Sequence, residues 1–436
     1  MKRAVVNAVV LTMNDRMDCF EKGYVRMRGG EITEVASMEE WKPDGEEECT
    51  DAAGMWMLPG FVNTHTHTPM TLLRGYADDL PLHAWLTEHI FPAEARLITP
   101  EHVRLASRFA FAEMIRTGTT CFNDMYFFSR VIAEEAKRAG IRAVLNDSLI
   151  DFPAPGFGTV DEGLALAEEL IRAWAGDPLI HPSVCAHSPY TCSKETLLKA
   201  KRLADRYGTL FQIHLSETRQ ETETVKKQTG FLPGEYLHRI GVLDGNLIAA
   251  HGVWLTPGEV RLFAGSGAAI GHCPKSNLKL ASGVADTASW LRAGVTVGLG
   301  TDGTASNNSL DMVEEMRFAA LLPKGVCHDP EAMPARDALR MATIEGARAV
   351  GLGDRIGSLE PGKRADLLLI RSEAVNMQPV YDRYSAIVYA MNSGNIVSSM
   401  AEGEWLMQDR ELIRIDEKET LNDLMERFGA KAGVLR

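Results

Sequence analysis

The stretch Pro59-Gly60-Phe61-Val62-Asn63-Thr64-His65-Thr66-His67 decides how the rest of the chain is read. An apolar run ending in His-x-His puts two imidazoles on one side of an extended strand, because side chains two apart share a face. Two neutral imidazoles so placed can grip one divalent cation from a single strand end. A third imidazole and a carboxylate would complete a hydrolytic centre with one position open to water. The chain downstream offers both.

On either side of that strand the pattern differs. Residues 2 to 37 read as short strands: 4–13 is rich in Val and Leu, and 23–35 predicts a hairpin turning at Gly29-Gly30. Residues 43–51 read as a polar, acidic connection. From residue 58 the candidate strands are 60–67, 119–125, 142–150, 180–187, 210–217, 247–251, 268–273 and 296–302. Helical spacing lies between them, as in 101–116, 161–174, 194–207 and 287–293. Eight strands interleaved with helices is the arithmetic of a (β/α)8 TIM-like barrel. No linker tract divides residues 58 to about 345. Further strands are expected at 365–370, 387–389 and 396–407, with a charged helix at 417–428. The strands at each terminus are too few to bury a face alone, so we expect them to pair with each other. The expected architecture is α/β. Residues 1-57 and 363-436 form a composite β-sandwich domain with a C-terminal helix, and residues 58-362 form the barrel.

Bulk properties exclude several classes. A formal net charge of -13 argues against nucleic acid and anionic membrane as partners, since like charges repel. No apolar run reaches the ~18 residues that a membrane span needs, and Met1-Lys2-Arg3-Ala4-Val5-Val6-Asn7 opens no apolar leader. The seven cysteines are scattered with no CxxC pair, which reads as reduced thiols in a cytoplasmic protein.

Barrel enzymes work from the C-terminal ends of their strands. Of 12 histidines, six fall at the expected ends: His65 and His67 on strand one, His187 on four, His214 on five, His251 on six and His272 on seven. Glu217 follows strand five and Asp302 ends strand eight. A lone strand-end histidine is ordinarily a satisfied polar residue, but the pair His65 and His67 reads as metal ligands. His214 and Asp302 supply the missing donors. His251 reads as the partner of the attacking water, and His272 as a structural hydrogen bonder at least as well as a functional group. Glu217 sets the reaction class. Hydrolytic removal of an amino group from an aromatic C–NH2 requires that the ring nitrogen beside the attacked carbon be protonated. A carboxyl three residues past a metal ligand can do that. The plain alternative is a helix-opening acid.

Gly298-x-Gly300-x-x-Gly303 matches the dinucleotide fingerprint letter for letter. It sits at the eighth strand rather than the first, with helical spacing next, so the fingerprint reading is rejected and a dinucleotide-binding oxidoreductase stays only a remote third alternative. No Walker lysine and no Gly-x-Ser-x-Gly elbow occurs, and Cys273 has no adjacent base.

With these residues in place, nearly the whole chain resembles the amidohydrolase superfamily. Within it the chain resembles the 5′-methylthioadenosine/S-adenosylhomocysteine deaminases. The motifs that carry this are the His-x-His stretch, Leu72-Leu73-Arg74-Gly75, His187-Ser188-Pro189-Tyr190, His214-Leu215-Ser216-Glu217, Ser276-Asn277-Leu278-Lys279-Leu280 and Gly300-Thr301-Asp302-Gly303-Thr304-Ala305-Ser306-Asn307-Asn308. The resemblance implies one divalent metal, usually Zn2+, on His65, His67, His214 and Asp302. No lysine ends a barrel strand as a bridging ligand, which agrees with a single ion. It also implies Glu94 on the ribose hydroxyls, His187 on the purine and His251 steadying the water. Relatives that take S-adenosylhomocysteine carry arginines after the third strand. Here that region reads Asn146-Asp147-Ser148 and Phe157-Gly158-Thr159-Val160, without one.

The expected activity is therefore metal-dependent deamination of an adenine nucleoside, favouring an uncharged 5′ group. Glu217, His251 and Asp302 are the catalytic residues, and Glu94, His187 and Glu217 bind the substrate. The alternatives are a triazine or cyclic-amide hydrolase on the same scaffold and, further off, a non-catalytic barrel. A homo-oligomer stays open.

Overall fold

The computed structural model of the chain describes residues 1–428; residues 429–436, the end of the expected terminal domain, lie outside them. The N-terminal segment forms β1 (Lys2–Leu11), β2 (Cys19–Arg28), β3 (Glu31–Ser37), β4 (Glu48–Asp51) and β5 (Trp56–Pro59). Gly29 and Gly30 turn β2 into β3 with φ of 56° and 83°, a left-handed pair that glycine adopts without a Cβ penalty. The barrel strands follow as β6 (Phe61–Thr66), β7 (Thr119–Asp124), β8 (Arg142–Leu145), β9 (Ser148–Leu149), β10 (Ile180–Pro182) and β11 (Val184–Ala186). Then come β12 (Phe211–Leu215), β13 (Leu247–His251), β14 (Ala269–His272) and β15 (Thr296–Leu299). The chain returns through β16 (Leu367–Ile370), β17 (Ile396–Ala401), β18 (Glu404–Gln408) and β19 (Glu411–Leu412), and helix Glu417–Phe428 follows.

The terminal strands share one nine-stranded sheet, ordered β19-β18-β17-β16-β5-β1-β2-β3, with β4 beside β1. The two ends of the chain meet where β16 runs antiparallel to β5, Leu368 opposite Leu58. Both strands read as unbroken apolar runs because both their faces are covered. Met57, Leu367 and Leu369 join a core with Val5, Val10, Val25, Met27 and Met400. Trp56, Leu58, Leu368 and Ile370 point the other way, into the barrel's core.

Two expectations are corrected. The acidic connection contains β4, whose residues 48–51 pair in parallel with 3–6. The strand expected at 387–389 is helical: Arg383–Ser385 continues into a wide turn over Ala386–Ala390. Asp382 starts it by accepting from the Ser385 N–H. An apolar run as short as Ile387-Val388-Tyr389 does not by itself set a period.

The eight expected barrel strands are all present. The third is β8 and β9, interrupted at Asn146-Asp147, and the fourth is β10 and β11, interrupted at Ser183. These interrupted strands carry the barrel from one ladder, β10-β8-β7-β6, into the other, β15-β14-β13-β12-β11-β9. Closure falls between the first and eighth strands. The Asp302 N–H donates to His65 O at 2.9 Å, and the Thr301 N–H donates to Asn63 Oδ1 at 3.1 Å. A Cβ on Gly298 would lie 2.4 Å from Thr64 Cγ2, and one on Gly300 would lie 2.8 Å from the His65 nitrogen. The glycines that mimic a dinucleotide fingerprint therefore serve this close approach.

The fully buried Arg142 ties barrel to sheet. Its Nε and Nη2 lie 2.9 Å from the two carboxylate oxygens of Asp366, and Nη2 also reaches Glu402 at 2.8 Å. No helix among the described residues is long and apolar enough to cross a membrane.

Candidate active site

Strand alternation sends His65 and His67 inward from the end of β6, and β12 and the turn after β15 bring His214 and Asp302 to the same place. His67 Nε2 lies 3.2 Å from Asp302 Oδ1, His65 Nε2 lies 3.6 Å from it, and His214 Nε2 lies 3.4 Å from His67 Nε2. Donors about 2.0–2.2 Å from a tetrahedral zinc stand roughly 3.3 Å from one another, so these three spacings suit such an ion, and ligand atoms of His65, His214 and His251 also gather within 4.8 Å of one another. The far nitrogens of two rings are occupied: His67 Nδ1 meets Met125 O, and His214 Nδ1 meets His187 O at 2.9 Å. Donation to those carbonyls turns the Nε2 lone pairs inward. His65 Nε2 is buried with no hydrogen-bond partner.

The electrostatics agree. Burial pushes His65 down to about 4. Burial opposes charge on His67 too, but the Asp302 carboxylate outweighs it and lifts that ring to about 9. Asp302 is held well below the usual carboxylate range by the two imidazoles despite its burial. The cluster thus favours a positive charge among these groups. Asp302 is fixed on its other oxygen, where Ser276 Oγ and Ser306 Oγ donate to Oδ2 at 2.6 and 2.7 Å.

Beside this cluster stand Glu217, which the sequence assigns to protonating the ring, and His251, which it assigns to steadying the water. Glu217 Oε2 is 3.9 Å from His251 Nε2, and burial raises the Glu217 carboxyl. Ser216, His251 and Asp302 all have positive φ, 52°, 76° and 61°. Backbone in that region is strained for such residues, and it persists where side chains must be aimed. The buried Glu221 holds the turn by accepting the N–H groups of Ser216 and Glu217, both at 2.8 Å. The ring of His251 is held by Asn277, whose Oδ1 is 2.9 Å from Nδ1.

A cavity opens over these groups. Helical turns spanning Leu82–Leu97 supply Leu82, Trp85, Leu86, Phe91 and Glu94 to one wall. Ile150 and the segment Phe152-Pro153-Ala154-Pro155 line it as well, and Phe152 packs edge-on against Phe91 with 5.9 Å between ring centroids. Glu94 is buried and accepts a hydrogen bond from Tyr126 Oη at 2.6 Å; burial pushes its carboxyl up to about 7. His187 lines the cavity with Nδ1 held 2.9 Å from Thr191 Oγ1. Ser148 lines it too, and among the described lining residues there is no lysine or arginine.

All the residues singled out from the sequence thus lie at one end of the barrel, but His272, at the end of β14, does not line the cavity, and its Nδ1 is buried without the hydrogen bond expected of it among the described residues. That ring packs edge-on against Trp290 with its centroid 6.0 Å away, a structural position. Sequence reasoning gave no role to Asp124, which ends strand two, or to Asp147, in the break of strand three; they accept backbone N–H groups of Thr68 and Ser129. It also gave no role to Tyr126, Glu221, Ser276, Asn277 or Ser306. Three of those five, Ser276, Asn277 and Ser306, stand inside quoted motifs.

Comparison with known proteins fits this geometry. Residues 56–406 match the amidohydrolase family. The chain is 43% identical over 416 residues to the 5-methylthioadenosine/S-adenosylhomocysteine deaminase of Thermodesulfovibrio yellowstonii, with 95% of each chain covered. It is 44% identical over 424 residues to the protein of the same name from Syntrophobacter fumaroxidans, covering 97% of this chain and 96% of the other. The crystal structure of an adenosine deaminase from Xanthomonas campestris with bound zinc superposes with a TM-score of 0.95 at 39% identity, covering 97% of each chain.

Proposed function

The chain belongs to the amidohydrolase family, and from that premise we propose that it hydrolyses the 6-amino group of adenine nucleosides, giving the inosine counterpart and ammonia. The observation that carries this is the Glu217–His251 pair standing 3.9 Å apart over the histidine and aspartate cluster, inside a mostly apolar cavity. One divalent cation, zinc, would be held by His65, His67, His214 and Asp302. The 3.2–3.6 Å donor spacing and the orphaned His65 Nε2 support that assignment. When bound, the cation lowers the pKa of the attacking water from about 15.7 toward about 7.

The residues then divide the work. Glu94 accepts the ribose hydroxyls, and His187 hydrogen-bonds the purine. His251 holds the water in line for C6 while Asp302 takes its proton. The raised carboxyl of Glu217 gives a proton to N1, so that charge does not build on the ring as C6 becomes tetrahedral. Asp302 then returns a proton to the leaving amine, and as ammonia departs the C6 hydroxyl gives its remaining proton back to Glu217, leaving the carbonyl of the inosine product. The lining without a lysine or arginine favours substrates whose 5′ group is neutral, such as methylthioadenosine or adenosine.

The test is a panel of adenosine, methylthioadenosine, S-adenosylhomocysteine, guanine and cytosine, followed by loss of absorbance on protein of known metal content. Adenine nucleosides should be consumed. Glu217→Gln should lower turnover by about 10²–10⁴ while zinc stays bound. Near-wild-type deamination by that variant, or a chain inert to every adenine nucleoside, would overturn the reading.

A further inference from the structure

One residue left without a task in these steps is Asn277. It lies on the short helix Pro274–Lys279 that follows β14, and it is buried. Its Oδ1 lies 2.9 Å from His251 Nδ1, the one hydrogen bond made by that ring among the described residues. Its Nδ2 is buried with no partner. A buried amide with one end unpaired is costly, and a leucine of similar shape would avoid the cost. Packing alone therefore does not ask for an amide here. The preceding residue, Ser276, donates to Asp302 Oδ2 at 2.6 Å. Adjacent side chains of one helical turn thus touch both groups that handle the water.

We infer that Asn277 is a positioning residue for the deamination: its carbonyl oxygen accepts the Nδ1–H of His251 and so fixes which ring nitrogen faces the reaction. With the proton held on Nδ1, Nε2 presents a lone pair toward the water and toward Glu217. His251 needs such a restraint, because its backbone has φ of 76° and its ring stacks on His214 at 5.6 Å without a second polar anchor. The opposite amide orientation, with Nδ2 donating to Nδ1, would move the ring proton to Nε2 and turn an acceptor into a donor. An aspartate can reproduce the first arrangement and cannot reproduce the second. The inference rests on the proposed role of His251, and the experiment separates the two.

Asn277→Leu, Asn277→Ala, Asn277→Asp, His251→Gln and the double variant Asn277→Leu/His251→Gln would be compared. For each, kcat and KM on the nucleoside identified by the panel, zinc content and melting temperature are measured. Asn277→Leu should lose about 10–100-fold in kcat with KM and zinc unchanged, the range seen when an orienting partner is removed. Asn277→Ala, which adds no bulk, carries the same expectation if the leucine variant does not fold. Asn277→Asp should stay within about threefold of wild type, and the double variant should be no slower than His251→Gln alone. Wild-type kcat in both Asn277→Leu and Asn277→Ala beside an inactive His251→Gln would overturn the inference and leave the role of His251 standing. Equal losses in Asn277→Asp and Asn277→Leu would also overturn it. Wild-type kcat in His251→Gln would remove the role of His251 itself.

Discussion

Changing Tyr126 to Phe removes one oxygen from the cavity and should expose how the ribose is held. The Tyr126 hydroxyl donates to Glu94 Oε1 at 2.6 Å. Burial pushes that carboxyl up to about 7, and the phenol is the larger of the two influences that oppose it. Near neutral pH the group is therefore about half ionised, and losing the phenol moves it further toward the neutral acid. A hydrogen bond to a charged acceptor contributes about 1.5–3 kcal/mol and one to a neutral acceptor about 0.5–1.5. The ribose hydroxyls should lose roughly 1–2 kcal/mol, or about 5–30-fold in kcat/KM. The assay compares adenosine with 2′,3′-dideoxyadenosine in wild type and variant. The preference for adenosine should shrink in Tyr126→Phe, with dideoxyadenosine little affected. Because the carboxyl is raised, activity on adenosine should recover as pH rises and the group ionises. Equal losses on the two substrates, or none on either, would refute Glu94 as the ribose acceptor.

Three further outcomes are expected. Methylthioadenosine should exceed S-adenosylhomocysteine in kcat/KM by about tenfold or more, because the cavity lining offers a carboxylate no lysine or arginine and Lys279 in the adjoining cavity is already paired with Asp78 at 2.6 Å; equal values would sink the neutral-group argument. Glu315 is buried against Asn307 and its carboxyl is pushed up to about 8, from an ordinary value of 4.5. The folded state then keeps a proton that the unfolded chain has lost, so this group's stabilisation falls between those two pH values by up to about 1.4 kcal/mol per unit. Denaturant midpoints of Glu315→Gln should show a flatter decline with rising pH, and an unchanged slope would count against it. Arg142→Met should cost about 3–5 kcal/mol in urea unfolding, since Asp366 and Glu402 would lose their common cation; a loss under about 1 kcal/mol would mean that the ion cluster does not join the two parts of the molecule.

The barrel was legible because its strands read as apolar runs followed by helical spacing, and six of the eight were marked by a histidine or acid at their ends. His65, His67, His214, Glu217, His251 and Asp302 could be found for the same reason. What supports them could not. Ser276 and Asp302 are 26 residues apart, as are His251 and Asn277, and no periodicity links partners at that distance. Tyr126 was passed over because a tyrosine one residue beyond a strand looks like packing until Glu94 is seen 2.6 Å from its hydroxyl. The segment 387–389 went wrong for a different reason: three apolar residues fit either period, and the capping contact from Asp382 decides for the helix.

The glycine-lined closure between the first and eighth strands has a consequence for how the enzyme is made. A ribosome releases His65 and His67 early, but the bonds from Thr301 to Asn63 and from Asp302 to the His65 carbonyl cannot form until Thr301 and Asp302 emerge. On the proposed ligand set, a nascent chain that has released His65 and His67 lacks its carboxylate donor until residue 302 has emerged.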